Sequence, residues 1–326
     1  MRLKLAPWRS LIYLAVVLVA AAGVSVRTPF SLLAPGHALD LRDVVTVSGH
    51  ASPSTHYYMT DVGFIPHASP LGLLAALEPG WQMKWTADLV PPGVDDVVYE
   101  RVMGQMMDQS QGVAAYVAER AAGLPVGRVS SQVIVHQVMA ASHALHVLRA
   151  GDAVLSVNGR GIDGIATMQT LLARLAPGGR AVVVVLRDGR RVRAMIQTIA
   201  IEGKARLDIT LAEFVTLPRL PVSVRYNLNN ISGSSGGVMF ALEIYRSLRP
   251  TRRSPSPRIA GTGTLDSNGD VGPIAGTMQK LIAARRAGAT LFLVPIENFA
   301  EVRSVRDIKI VPIRTFADAL QATGGV

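Results

Sequence analysis

A run of very small residues followed directly by an apolar segment constrains the fold of this chain most strongly. Residues 232–237 read SGSSGG, and residues 238–248 read VMFALEIYRSL, with apolar side chains at helical spacing. Glycine and serine permit the sharp turn that a backbone needs on entering a buried helix. The run therefore predicts a turn at a helix start, which could be a flexible loop, an anion cradle or the support of a nucleophilic serine.

Composition excludes several functional classes. The 326 residues predict about two domains, and the absence of cysteine excludes disulfides, thiolate metal sites and a cysteine nucleophile. The net charge of +10 comes largely from scattered arginines, without the interleaved aromatic residues on which nucleic-acid bases would stack. We therefore expect no nucleic-acid partner, and some attraction to an anionic membrane surface.

The N-terminal segment carries a membrane-targeting pattern. Residues 11–26 contain no charged side chain, and as a helix they would span ~24 Å of the ~30 Å hydrocarbon core. Arg2, Lys4 and Arg9 precede the run and would hold the N-terminus in the cytoplasm. Residues 1–27 thus predict a cytoplasmic stub and a transmembrane helix contacting membrane lipid, with the rest of the chain outside the cytoplasm. A cleaved signal peptide is the alternative.

Strands and helices alternate through most of the remaining chain. Residues 28–66 read as short strands rich in valine, threonine and tyrosine, and residues 95–122 read as a helix. From residue 205 onward strands and helices alternate, beginning with strands in ARLDITL and VSVRYNL. The pattern predicts an α+β fold.

Residues 124–204 differ in character and are rich in predicted strands. The order is a strand in VIVHQVM, a turn and strand in LRAGDAVLSVNGRGI, a helix, and a hairpin around Asp188-Gly189. With Gly151-Asp152 and Val157-Asn158-Gly159, this segment resembles a PDZ domain. An unrelated small β-rich domain is the alternative.

The PDZ resemblance implies a groove for an extended peptide between a strand and a helix. The strand would lie within 133–139 and the helix within 166–175, with backbone amides of 127–131 holding a terminal carboxylate. We expect C-terminal peptides as partners, or else a domain that packs only on its own protease body. The residues predicted to line the groove are Val133, Val135, Met168, Leu171 and Leu172.

A serine nucleophile in the SGSSGG run would need a base. All seven histidines precede residue 147, so a Ser-His-Asp triad requires the segment His37–His67 to fold back on this run. Arginine cannot act as a base, but Lys280 can. If Gly276 or Thr277 caps the following helix, Lys280 lies in its first turn, where the helix dipole and burial would lower its pKa.

Three segments together resemble the proteolytic domain of the Lon-type serine proteases. GSSGG at 233–237 stands where that family has Gly-Pro-Ser-Ala-Gly. TGTLDSNGDVGPIAGTMQK at 262–280 resembles its Thr-Gly-Glu strand, turn and Pro-Ile-Gly-Gly-x-x-x-Lys run, and LFLVPIENFAEV resembles the next strand. Earlier in the chain, YMTDVG and MDQSQGVAAYVAERA at 107–121 also look like elements of the family, so the resemblance covers about 40–122 and 205–326. It implies a Lon-type domain built from 28–123 and 205–326, with the PDZ-like domain inserted between them.

The same resemblance implies the roles of individual residues. Ser235 would be the nucleophile, Lys280 the base and Thr262 the hydroxyl that orients the base, with Gly236 supporting the turn. Ser232 and Ser234 are rival nucleophiles.

The sequence also departs from the family pattern. Ser234 replaces proline and Gly236 replaces alanine, which would loosen the turn; Thr264 replaces glutamate, and Ala275 replaces glycine.

The sequence therefore predicts a membrane-anchored serine endopeptidase that cleaves unfolded or flexible proteins. No G-x-x-x-x-G-K-[ST] run occurs, so we expect activity without ATP. We expect no cofactor and no metal, since His143 and His146 lack further ligands at a suitable spacing. The alternatives are a PDZ scaffold with a weak or inactive protease-like body, and a secretion adaptor that uses only the groove. The sequence leaves the oligomeric state open.

Overall fold

The computed structural model describes residue 13 and residues 23–90, 96–201, 203–228, 231–251 and 257–324. Most of the predicted membrane anchor lies outside these ranges. Within them, no helix combines the length and hydrophobicity that crossing a bilayer requires. The chain divides into two compact units, one formed by the segments up to Val126 and from Leu220, the other by Gly127–Arg219.

The helices and strands are numbered in chain order across both units. The strands are β1 (Phe30–Asp40), β2 (Val45–Val47), β3 (His56–Ile65), β4 (Gln82–Trp85), β5 (Ser130–Val138), β6 (Ala153–Val157), β7 (Arg160–Gly161), β8 (Arg180–Arg187), β9 (Arg190–Gln197), β10 (Ile199–Ile201), β11 (Lys204–Arg206), β12 (Ile209–Thr216), β13 (Val224–Tyr226), β14 (Arg258–Gly261), β15 (Thr264–Leu265), β16 (Val271–Gly272), β17 (Leu291–Pro295) and β18 (Lys309–Ile313). The α-helices are α1 (Asp96–Ala121), α2 (Ile165–Ala173), α3 (Gly237–Leu248), α4 (Thr277–Arg286), α5 (Phe299–Val302) and α6 (Phe316–Ala322). Short 3-10 helices cover Leu41–Asp43, Gly72–Leu77, Thr86–Asp88 and Ile296–Asn298.

The first unit is a mixed sheet with helices packed on it. The strand order is β18-β17-β14-β3-β1-β4, parallel from β18 to β3 and antiparallel from β3 to β4. Helix α3 packs on α1 and on β3, whereas α4 packs on β1 and β3. Because β17 is buried along its whole length, it reads as a continuous apolar run, LFLVP, as parallel strands do.

Helix α3 forms the interior of this unit, as its apolar sequence predicts. Val238, Phe240 and Leu242 are fully buried, so the helix is covered on nearly all sides. A second cluster, around Leu281 of α4 and Phe292 of β17, fills the space between α4 and the sheet.

The second unit is a small antiparallel sheet with one helix. Its strand order is β12-β5-β6-β8-β9, with β7 paired to β6 and with β10 and β11 forming a separate pair. The predicted hairpin around Asp188-Gly189 is present, and both residues have positive φ, as a tight two-residue turn requires. The chain as a whole is a mixed α+β structure.

The C-terminal boundary of this unit differs from the predicted one. Residues 209–216 were expected to belong to the protease-like part, but they form β12, which pairs along its length with β5. The unit therefore extends to Arg219 rather than ending at residue 204. Strand pairing between distant segments is not visible in local sequence patterns, which explains the misplaced boundary.

The structure also contradicts the predicted peptide groove. Strand β5 pairs with β12 on one edge and β6 on the other, so its Val133–Val135 segment has no edge to offer an added strand. The residues expected to line the groove are instead buried in the core of the unit: Val133, Val135, Met168, Leu171 and Leu172. Their apolar character is explained by this core, and Leu171 also lines a pocket beside α2.

Candidate active site

Ser235 lies in a tight turn at the start of α3. The turn needs glycine at Gly233, whose φ is +91°, and its amide donates to the Met103 carbonyl of α1. The hydroxyl of Ser110, also on α1, donates to the Ser234 carbonyl at 3.1 Å. Helix α1 thus holds the turn that presents Ser235.

Lys280 approaches the same point from α4. Gly276 precedes the helix in the left-handed conformation, so Lys280 is its fourth residue, in the first turn, as the sequence predicts. No acidic residue lies in that turn, so no side chain of the turn itself offsets the unfavourable dipole of the helix start. The Lys280 side chain is 2% exposed.

Three side chains meet at this point. Lys280 Nζ lies 2.6 Å from Ser235 Oγ and 3.2 Å from Thr262 Oγ1. The Thr262 hydroxyl donates to the Ser235 carbonyl at 3.1 Å, and the amide of Gly263 donates to the same carbonyl at 2.8 Å. Because the Thr262 hydrogen is committed to that carbonyl, Thr262 can only accept from Lys280.

Burial lowers the pKa of the Lys280 amine to about 8, well below the value of 10.5 for a free lysine. The negative charge of Asp61 acts in the opposite direction and raises this pKa. At pH 8 roughly half of the molecules would carry a neutral amine, which is the form that can accept a proton.

Gly236 follows Ser235 in an ordinary right-handed helical conformation. Its φ of −90° and ψ of −5° are accessible to any residue. A Cβ atom there would instead lie 2.3 Å from Met59 Sδ and 3.1 Å from Phe240 Cε2. Met59 of β3 fills the space that an alanine methyl group would need, so alanine at this position would require the Met59 side chain to move.

Asn298 positions the loop that leads into α4. Its side-chain oxygen accepts from the Ile274 amide, and its side-chain nitrogen donates to the Ile274 carbonyl, both at 2.9 Å. Asn298 lies in the LFLVPIENFAEV segment, in which the sequence predicts no site residue. The asparagine is visible in the sequence, but its hydrogen-bond partner, Ile274, lies 24 residues away along the chain.

A cavity of about 140 Å³ opens beside Ser235. Its apolar walls come from Met59, Val62, Met107 and Ile231. Asp61, Ser232 and Lys280 contribute polar groups. The catalytic candidates therefore face a space that can receive part of a substrate.

The alternative nucleophiles and the alternative histidine base do not take part in this arrangement. Across the described ranges, Lys280 bonds to Ser235 rather than to Ser232 or Ser234, and no histidine side chain contacts Ser235. His56 instead binds Asp40. The same ranges contain no group of three or more acidic or histidine side chains arranged for a metal ion.

Comparisons with protein families find two separate segments in this chain. Residues 102–198 match the PDZ domain, and residues 230–322 match the Lon protease (S16) C-terminal proteolytic domain. The PDZ match begins within α1, ahead of the compact second unit, and ends before β12. The proteolytic match contains Ser235, Thr262 and Lys280.

Individual proteins are similar to parts of this chain. The chain is 32% identical to Lon protease 2 of Bacillus subtilis over 91 residues, which is 28% of this chain and 16% of that protein. It is 35% identical to the Lon protease of Helicobacter pylori over 99 residues, 28% of this chain and 11% of that protein. Among solved structures, the PDZ domain of the SdrC-like protein of Listeria monocytogenes is 23% identical, with a TM-score of 0.24, covering 24% of this chain and 85% of that one.

This chain thus spans less than a fifth of the length of either Lon protease. The similarity supports a serine protease, and the chain combines a Lon-type proteolytic segment with a PDZ segment.

Proposed function

We propose that this protein is a serine endopeptidase in which Ser235 and Lys280 form the catalytic dyad. The observation that carries the proposal is the 2.6 Å contact between Ser235 Oγ and the buried Lys280 amine. A neutral amine beside a serine hydroxyl has the geometry that proton abstraction requires.

Thr262 sets the direction of the proton transfer. A neutral amine has two hydrogens and one lone pair, and Thr262 accepts one of the hydrogens. The lone pair is then free to accept the proton of Ser235 as its Oγ attacks the substrate carbonyl. The resulting ammonium of Lys280 protonates the leaving amine, which gives an acyl-enzyme and releases the first product.

Water then completes the reaction through the same base. Lys280, neutral again, accepts a proton from water as the water oxygen attacks the ester carbonyl of the acyl-enzyme. The tetrahedral intermediate collapses, Ser235 Oγ regains the proton, and the acid product leaves. The amides of Ser235 and Gly236 form no hydrogen bond within the described ranges, so they can donate to the developing oxyanion at the positive end of α3.

An extended substrate can reach Ser235 along β3. Strand β14 pairs with β3 only from His56 to Met59, so in the described part of the chain no strand covers that edge from Thr60 onward. A substrate added there as a strand would pass the cavity beside Ser235. This binding mode selects unfolded or flexible segments, because a folded protein cannot offer a free extended strand.

We place this activity outside the cytoplasm, without use of ATP. The uncharged run 11–26 and the basic residues before it favour a single-pass membrane anchor with the N-terminus in the cytoplasm. The sequence contains no phosphate-binding G-x-x-x-x-G-K-[ST] run. Adding ATP and magnesium should therefore leave the rate of cleavage unchanged.

Labelling with a serine-reactive fluorophosphonate tests the assignment of the nucleophile. We expect an adduct on Ser235 in the full chain, located by mass spectrometry of its peptides. Lys280→Met should strongly reduce labelling, and Ser234→Ala, the matched control, should be labelled normally. An adduct on Ser232 or Ser234 instead would contradict the assignment.

A second proposed function, peptide binding by the Gly127–Arg219 unit, is favoured by the exposed edge of β12. This strand ends the sheet, and in the described part of the chain only its β5 edge is paired. Glu213 of β12 accepts from the Ile165 amide at the start of α2, so the helix begins beside this strand. An extended peptide could add to β12.

Nuclear magnetic resonance can locate this binding on the full chain. Titration with peptides should shift the amide signals of 209–216 more than those of 130–138. Equal shifts in both strands, or none, would contradict binding at β12.

A further inference from the structure

One carboxylate faces the cavity beside Ser235 and has no part in the proton transfers described above. Asp61 lies on β3 two residues after Met59, so the two side chains share the face of the strand that packs against Gly236. Asp61 and Lys280 are the titratable residues that line the cavity within the described ranges. An acidic group at this position would contact a substrate side chain next to the scissile bond.

The fold holds Asp61 in place through an irregularity in β1. The pairing of β1 with β3 shifts register between Pro35 and Ala38, which leaves a bulge at residues 36–37. The His37 amide in this bulge donates to Asp61 Oδ1. A Cβ atom at Gly36 would come within 1.8 Å of the same oxygen, so glycine is needed for this approach. The second oxygen of Asp61 accepts no hydrogen bond in the described part of the chain.

Asp61 also carries a cost for the proposed chemistry. Its charge raises the pKa of Lys280, so it favours the protonated amine, which cannot act as a base. A carboxylate that opposes the neutral form of the base is expected to have another function that offsets this disadvantage. Binding of a substrate cation would be such a function, because the cation would neutralise the charge of Asp61 during the reaction.

We infer that Asp61 determines specificity by binding a lysine or arginine side chain of the substrate next to the scissile bond. This inference rests on the proposed endopeptidase activity. The apolar walls formed by Met59, Val62, Met107 and Ile231 would contact the aliphatic part of such a side chain, and the free oxygen of Asp61 would accept from its cationic end.

Matched peptide substrates test this inference on the full chain. Internally quenched peptides would differ only at the residue before the scissile bond, which would be lysine, arginine, norleucine, acetyl-lysine or glutamate. We expect kcat/KM to be about tenfold or more higher for lysine and arginine than for norleucine, with acetyl-lysine behaving like norleucine. Comparing these ratios within one protein separates selectivity from overall activity.

Variants then assign the selectivity to Asp61. In Asp61→Asn the ratio of lysine to norleucine should fall to near one, whatever the absolute rate. If Asp61→Asn folds poorly, Asp61→Ser can replace it, because serine keeps an acceptor for the His37 amide. The ratio of lysine to norleucine should fall to near one in this variant too. Asp88→Asn, an exposed acidic residue of the same unit, is the control and should keep the wild-type ratio.

The outcomes separate this inference from the proposed function. Cleavage of all the peptides without preference for lysine or arginine would overturn the role of Asp61 and leave the protease intact. A preference that persists in both Asp61 variants would also overturn it. Failure to cleave any peptide would overturn the endopeptidase, and the inference with it.

Discussion

Gly236 and Met59 are packed so closely that a methyl group added at Gly236 would require the Met59 side chain to move. An alanine Cβ at Gly236 would lie 2.3 Å from Met59 Sδ, although the backbone of Gly236 would accept alanine without strain. Packing against Met59 thus explains why this chain has glycine where the Lon family pattern has alanine. The residue at position 236 and the residue at position 59 depend on each other.

Gly236→Ala should therefore destabilise the protein by about 1–3 kcal/mol, because Met59 must move. It should also slow cleavage, because Met59 lines the cavity. Met59→Ala in the same chain should remove most of the added cost, which a double-mutant cycle on urea unfolding would measure. Gly104→Ala, a helix glycine with open space around its Cβ position, is the control and should stabilise slightly. Additive effects of the two substitutions would contradict the packing explanation.

The pKa of Lys280 predicts the pH dependence of cleavage. Since only the neutral amine can accept the serine proton, kcat/KM should rise with pH through a midpoint near 8. Asp61→Asn should move this midpoint to lower pH, because the charge of Asp61 raises the pKa of Lys280. A midpoint at or above the 10.5 of a free lysine would show that the working amine is not buried.

Glu243 predicts a pH dependence of stability that is independent of catalysis. This α3 residue is fully buried, neither side-chain oxygen has a hydrogen-bond partner in the described structure, and burial raises the pKa of its carboxyl to about 8. Between pH 4.5 and 8 the folded state keeps a proton that the unfolded state releases, so Glu243 makes the protein less stable as pH rises. The effect should be on the order of a few kcal/mol.

Glu243→Gln should remove this slope. Urea unfolding at pH 5 and pH 8 would give the difference between variant and wild type, which should favour the variant increasingly at pH 8. Glu78→Gln, an exposed residue, is the control. A constant difference between wild type and Glu243→Gln across this range would show that the carboxyl is already ionised in the fold.

The unit boundary predicts which fragment folds by itself. A fragment of residues 127–219 contains β12 and should unfold cooperatively, whereas 124–204 leaves the Ser130–Val138 edge of β5 without its partner. Thermal unfolding followed by circular dichroism would compare the two. Equal stability would mean that β12 contributes little to this unit.

The predictable parts of the site were those encoded in contiguous sequence. Ser235, Thr262 and Lys280 each lie in a short motif, and Gly276 marks the helix start that places Lys280 in its first turn. The boundary at residue 204 failed because the pairing of β12 with β5 joins segments about 80 residues apart. Asp208, with a positive φ, breaks the ARLDITL segment that reads locally as one strand.

The core position of the predicted groove residues and the role of Asp61 could not be predicted from local sequence patterns. Met168 and Leu172 look the same in sequence whether they line a pocket or fill a core, since both require apolar side chains. Asp61 acquires its significance only from the cavity wall and from the bulge in β1, which bring it to Ser235 from a strand far away along the chain.

Cleavage of an unfolded protein by three forms of the full chain tests the central claim most directly. Without nucleotide, the wild type and Ser234→Ala should degrade an unfolded substrate such as reduced, alkylated lactalbumin, and Ser235→Ala should lose at least about a thousandfold in rate while remaining folded. Degradation by Ser235→Ala at the wild-type rate, or its loss in Ser234→Ala alone, would contradict the assignment of Ser235 as the nucleophile.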